Sequence, residues 1–272
     1  MATAAAAGHR VVLVSATRGE VGEPQEGVLE PGEALWERRM AELAASATIL
    51  GADEPRWLGY HDSGMIGEET NDAPGSFWTA DTDEATTRLA DILTEVDADV
   101  LTIYDEHGGY GHPDHIMVHK VGLAAAARAG VENVYEATMN RTEIQAMMEA
   151  RSDLFEDENE ENDERIDVDS MGTPANDISY RVSVGDHIDK KRQSMIAHRS
   201  QIGPDSMFLT MPDDVFAAAF GSEWFNVPGR KDTGGPMGRD APTGALARSA
   251  RRRPSVRRSD LQRLGRGIRG AS

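Results

Sequence analysis

Apolar and polar positions along the chain fall into two alternating rhythms. Val11 to Ala16 is an unbroken apolar run rich in valine, short and β-branched enough for a buried strand. Ahead of it, Thr3 to His9 reads as the end of a helix stopped by Gly8. Leu35, Met40, Leu43, Ala47 and Leu50 keep helical spacing, which predicts a helix over 32–50 closed by Gly51. A short strand follows at 56–59 and a helix at 82–96. Asp99 to Tyr104 is the second strong strand, and a helix over 113–129 opens on a proline at its first position. The rest of the pattern gives a strand at 134–138, a helix at 143–151, a strand at 178–184 and helices at 186–201 and 212–220. Strands alternating with helices imply an α/β fold, Rossmann-like, with a mostly parallel sheet and helices on both faces. The pattern opens on a helix with no strand ahead of it, so the first strand of the alternation is expected to be missing.

Composition changes this picture at two places. The chain has 272 residues, enough for one sizeable domain. That domain is expected over 1–226, interrupted at 153–169 by an insertion dominated by Asp, Glu and Asn. Residues 227–272 turn to Gly, Pro, Ser and Arg and are expected to form a disordered basic tail. The net charge of −19 splits accordingly. From Arg230 onward there are twelve basic and three acidic residues; before it there are sixteen basic and forty-four acidic. So acidic a body argues against a nucleic-acid partner. With no cysteine in the chain, disulfides, thiolate metal sites and a cysteine nucleophile are excluded, and a transition metal would need His, Asp or Glu. No apolar run is long enough to span a membrane, and Met1 to Gly8 lacks the parts of a signal peptide, so the cytoplasm is the expected compartment. The oligomeric state is left open.

The candidate chemistry is concentrated between a strand and a helix. Four of the eight histidines, His107, His112, His115 and His119, lie between residues 107 and 119. The stretch from Asp105 to His115 also carries Tyr110, three glycines and three acids. In open α/β sheets ligands bind at the carboxyl ends of strands, and glycines let the backbone approach them closely. Imidazole and carboxylate together suit zinc or a similar divalent ion. A rival pairing joins His115 to His119, which share a helix face, although no glutamate follows His115 as a zinc protease would require.

Five segments, in order, resemble the LmbE-like (PIG-L) N-acetylglucosaminyl deacetylase family. They are Thr17-Arg-Gly-Glu20, Arg39-Met-Ala-Glu-Leu43, Leu58-Gly-Tyr-His-Asp-Ser-Gly-Met65, the stretch from Asp105 to His115, and Ala197-His-Arg-Ser-Gln201. The resemblance covers roughly residues 1–225 and lies close to the mycothiol-pathway branch. It implies a zinc-dependent hydrolase that removes the N-acyl group from an N-acetylglucosaminyl substrate, with a glucosaminyl-inositol among the candidates. A small amino-sugar is therefore the implied partner. By match, His115 is the metal ligand, His112 assists the tetrahedral intermediate and would act best protonated, and Tyr110 polarises the carbonyl. Arg39 and Asp62 match residues that hold the sugar, and His198 is a third candidate substrate contact. Plainer roles stay open for these three: an ion pair of Arg39 with Glu37 or Glu42, an Asx turn at Asp62, and helix packing for His198. Glu20 is expected to brace its loop.

One departure matters. The family places two further ligands and the general base on a His-Pro-Asp-Asp motif at the end of its first strand, and no such tetrapeptide occurs in this chain. Both a start codon placed inside the family's first helix and a real loss of the motif account for that. Either way, weak zinc binding and little activity are expected of the chain as written. The alternatives carried forward are a thiol-conjugate amidase of the same family and a catalytically inactive carbohydrate-binding homologue.

Overall fold

The computed structural model describes residues 1–150 and 168–229, and the backbone of 239–240. Residues 153–167 of the expected insertion lie outside the described residues, as do 230–238 and 241–272 of the expected tail. Among the described residues no helix is long and apolar enough to cross a membrane.

A short helix α1 (Ala2–Ala6) leads to strand β1 (Val14–Ser15), then α2 (Leu35–Leu50) and β2 (Arg56–Trp57). Next come α3 (Thr82–Glu95), β3 (Val100–Tyr104), the single distorted turn α4 (Gly108–Gly111), α5 (Pro113–Ala129) and β4 (Asn133–Thr138). The remainder is α6 (Arg141–Ala150), β5 (Tyr180–Ser183), α7 (Ile188–Ala197), α8 (Met207–Thr210), α9 (Asp213–Phe220), β6 (Ser222–Asn226) and β7 (Arg239–Asp240).

The strands form two separate sheets. β1 and β2 pair in parallel, and the other five follow the order β3-β4-β6-β5-β7. β3 and β4 are parallel, whereas β6 runs antiparallel between β4 and β5. The sheet is thus mixed, parallel at its two outer pairs, β3–β4 and β5–β7, and antiparallel on both sides of β6. β6 was not expected from the sequence; β7, two residues long within the stretch expected as tail, pairs with β5. Among the described residues nothing pairs with the second edge of β1 or of β3. Backbone bonds from Asp53, Arg56, Leu58 and Tyr60 to the carbonyls of Val11, Leu13, Ser15 and Ala16 tie the whole 11–16 run to the β2 side alone. The run expected as a buried strand is in consequence only half-buried up to Ala16.

The core lies where α3 and α5 cross the strands. Phe77, Ala85, Leu89, Leu93, Val121 and Ala125 are buried there with Ala16 and Leu58 from the β1–β2 side. Leu101 and Val134 pack onto the same cluster from β3 and β4, so one core serves both sheets. Helices α2 and α7 form a second packed pair. The helix expected over 186–201 stops at Ala197, and His198 leaves helical geometry at its end. This frame aims the chain segments that follow β1, β2 and β3 at one place.

Candidate active site

The carboxyl end of β3 runs directly into the glycine-rich loop. Asp105, 2% exposed, organises that loop. Its Oδ1 accepts from the backbone N–H groups of His107 (3.2 Å) and Gly109 (2.9 Å), and its Oδ2 accepts from the Thr138 hydroxyl (2.6 Å). Gly109 takes φ 74° and ψ −84°, which a residue with a Cβ would rarely adopt. The turn so formed lets the Gly108 carbonyl reach the His115 ring on α5, 3.1 Å from Nδ1.

That contact fixes the tautomer of His115. With Nδ1–H donating to a carbonyl, the lone pair sits on Nε2. Burial, reinforced by the neighbouring His112, lowers the His115 pKa to about 4, so the ring is neutral near pH 7. His115 stacks flat on Tyr104, and the ring centroids of His112 and His115 are 4.8 Å apart. His112 caps α5: its Nδ1 accepts from the Asp114 backbone N–H at 3.1 Å. A ring nitrogen that accepts carries no proton in that bond, so the donor that His112 offers in this geometry is Nε2–H. A proton on Nδ1, which the role expected of His112 would favour, would displace this cap. Tyr110 stands edge-on to both rings, half-exposed, and its pKa is raised by burial and then by the Asp62 charge.

Asp114 is buried and turned away from solvent. Its carboxylate accepts from the backbone N–H and hydroxyl of Ser63, which clamps the 62–64 turn against the first turn of α5. Burial is the main cause of its raised pKa, opposed by these two bonds. Asp62 does form an Asx turn, accepting from Gly64 N–H at 3.0 Å. Glu20 braces the same turn by accepting from the backbone N–H of Asp62 (3.2 Å) and of Arg18 (3.3 Å). His119 is engaged elsewhere, with Nδ1 3.2 Å from the Tyr104 carbonyl and 3.5 Å from Glu136.

On the far wall, Arg39 projects from α2 into the 17–22 loop, where its Nη1 donates to the Gly19 carbonyl. It forms no ion pair with Glu37 or Glu42. A Cβ at Gly19 would fall 2.6 Å from Nη1, and one at Gly22 would overlap the guanidinium. The Arg39 Nε is buried with no protein partner. His198 follows α7, and burial is the first cause of its lowered pKa. A cavity of about 1400 Å³ is lined by Arg39, Asp62, Tyr110, His112, His115 and His198 together. All six residues singled out from sequence therefore line one cavity, although four separate segments contribute them. Three buried carboxylates hold the turns around the cavity, Asp105, Asp114 and Glu42, the last through Ser200; the sequence offered Glu42 only as an ion-pair partner of Arg39 and assigned the two aspartates no individual role. The signal that would have found two of them is the serine in two of the five family-like segments, Ser63 and Ser200, both fully buried.

An open α/β sheet with imidazoles, a phenol and a guanidinium gathered at its strand ends defines an enzyme that acts on a small polar ligand. Comparison with known proteins narrows the class. The family model described as PIG-L, GlcNAc-PI de-N-acetylase, matches residues 1–126. A 1D-myo-inositol 2-acetamido-2-deoxy-alpha-D-glucopyranoside deacetylase of Acidothermus cellulolyticus is 36% identical over 236 residues, covering 83% of this chain and 81% of the relative. A relative with the same description from Frankia alni is 36% identical over 271 residues, covering 87% and 90%. Among solved structures, the N,N'-diacetylchitobiose deacetylase of Pyrococcus horikoshii shares the fold, with a TM-score of 0.50 at 17% identity over 83% of this chain and 75% of that one. The chain belongs to the PIG-L family, whose chemistry is hydrolytic N-deacetylation.

Proposed function

We propose that the chain binds an N-acetylglucosaminyl glycoside with an inositol aglycone and hydrolyses its acetamide, acting in the cytoplasm. The observation that carries this is the convergence of the six residues on one cavity, joined to the close relatives' shared description. Arg39, Asp62 and His198 offer donors and acceptors for sugar and inositol hydroxyls. The Nε2–H of His112 and the Tyr110 hydroxyl supply donors where the acetamide oxygen becomes an oxyanion.

Zinc is the cofactor that the resemblance implies, and the described residues do not fit it. A zinc hydrolase uses three protein ligands and an open position. Here His115 Nε2 is a free ring lone pair, but His112 Nδ1 caps a helix and both Asp114 oxygens are held by Ser63. Among the described residues no group of three His, Asp or Glu side chains is placed to hold an ion. The same shortfall favours a second reading, a catalytically inactive homologue that binds the glycoside.

Two measurements test the proposal. Calorimetric titration with 1D-myo-inositol 2-acetamido-2-deoxy-alpha-D-glucopyranoside should show saturable binding, weakened about tenfold or more by Arg39→Ala. No binding to the purified chain would overturn the function. Acetate release, followed with and without added zinc, then separates the readings: turnover that falls in His112→Ala supports the hydrolase, and binding without turnover supports the homologue.

A further inference from the structure

Two of the family-like segments share residues to which the proposed reaction assigns nothing. Arg39-Met-Ala-Glu42 lies on α2, and His198-Arg-Ser200 lies just beyond α7. Glu42 is 6% exposed and Ser200 is fully buried. Glu42 Oε1 accepts from the Ser200 backbone N–H at 2.8 Å, and Oε2 accepts from the Ser200 hydroxyl at 2.6 Å. A carboxylate that binds one residue through two charge-assisted bonds out of water is strongly directional.

Each partner sits beside a cavity residue. Arg39 is one turn before Glu42 on the same helix face, and His198 is two residues before Ser200. A third segment closes the triangle. The Ser200 carbonyl accepts from Gln25 N–H at 2.9 Å, so the loop that supplies Gly19 to Arg39 is anchored to the same residue. The 198–203 turn has little regular structure of its own: Gln201 and Ile202 N–H both bond back to the His198 carbonyl, at 3.0 and 2.8 Å. Its attachment to α2 sets where His198 points.

We propose that Glu42 and Ser200 are positioning residues, a buried latch that holds Arg39, His198 and the 17–25 loop in register at the sugar-holding side of the cavity. The inference rests on the amino-sugar reading for its ligand, but the latch itself can be read without one. Glu42→Ala removes both bonds, Ser200→Ala removes only the hydroxyl bond, and Glu42→Gln keeps an acceptor for the Ser200 N–H.

The experiment measures affinity for the same inositol glycoside by calorimetry, and amide hydrogen exchange over residues 17–25 without ligand. Glu42→Ala should weaken binding on the order of tenfold. Ser200→Ala should fall between it and the wild type, and Glu42→Gln should retain most of the affinity. In Ser200→Ala and Glu42→Ala the 17–25 amides should exchange faster while those of α5 stay unchanged. A staple that merely adds stability would leave both the affinity and the 17–25 amides as in the wild type, and that result overturns the latch. Should Glu42→Ala fail to fold, Ser200→Ala decides. Should the wild type not bind the glycoside, the function falls, and exchange at 17–25 still judges the latch.

Discussion

Burial first and His112 second keep the His115 imidazole unprotonated, with a pKa of about 4 against an ordinary value of 6.5. Between those two values an unfolded chain takes up a proton that the folded one refuses. The contribution of this ring to stability is therefore intact above pH 6.5 and is lost as the pH falls towards 4. Replacing His115 with Asn should flatten that acid limb: the melting temperature of the wild type should drop more steeply than that of the variant across this window. Parallel curves would contradict the burial argument. A second consequence concerns Gly22, whose missing side chain leaves room for the Arg39 guanidinium. Gly22→Ala should push Arg39 aside and weaken glycoside binding about tenfold, with a stability loss of about 1 kcal/mol or less. Calorimetry set against chemical denaturation of the same variant checks both halves.

Among the elements, α3 depends on a side-chain cap: Asp81 accepts from the backbone N–H groups of Asp83 and Glu84, each at 2.9 Å. Asp81→Ala should cost about 1 kcal/mol, measured as a shift in the denaturation midpoint at constant slope. Helices of this kind were legible in the sequence because periodicity, a cap and a stop agreed. α5 begins at Pro113 and ends at Ala129 before Gly130, as its pattern required. β6 was not legible: Ser222–Asn226 is five residues long, half-buried throughout with no alternation, and joined to α9 through Gly221 alone. Its place between β4 and β5 is set by pairing with partners distant in sequence. The site behaved similarly. Residue types and motif order pointed to Tyr110, His112 and His115, but the carboxylates beneath them look in sequence like any other acid. Asp105, Asp114 and Glu42 are distinguished only by burial, which no local pattern announces in so acidic a chain.

At the scale of the molecule, the sheet comes in two pieces joined by one helical layer. Strand edges with no partner expose backbone amides whose protection must come from side-chain cover alone. Amide exchange should therefore be faster along 11–13 than along β4, which is paired on one side by β3 and on the other by β6. Equal protection would mean that the free edge of β1 is covered in solution. The seam also divides cooperativity. Leu101 and Val134 reach the common core from one side, and Ala16 and Leu58 from the other, so the two pieces share apolar packing but no ladder of hydrogen bonds. On warming, the piece built on β1 and β2 has less to lose by letting go. It should melt as a separate foldon, carrying the 17–25 loop and Asp62 with it, while the β3–β4 half and its two histidines stay folded.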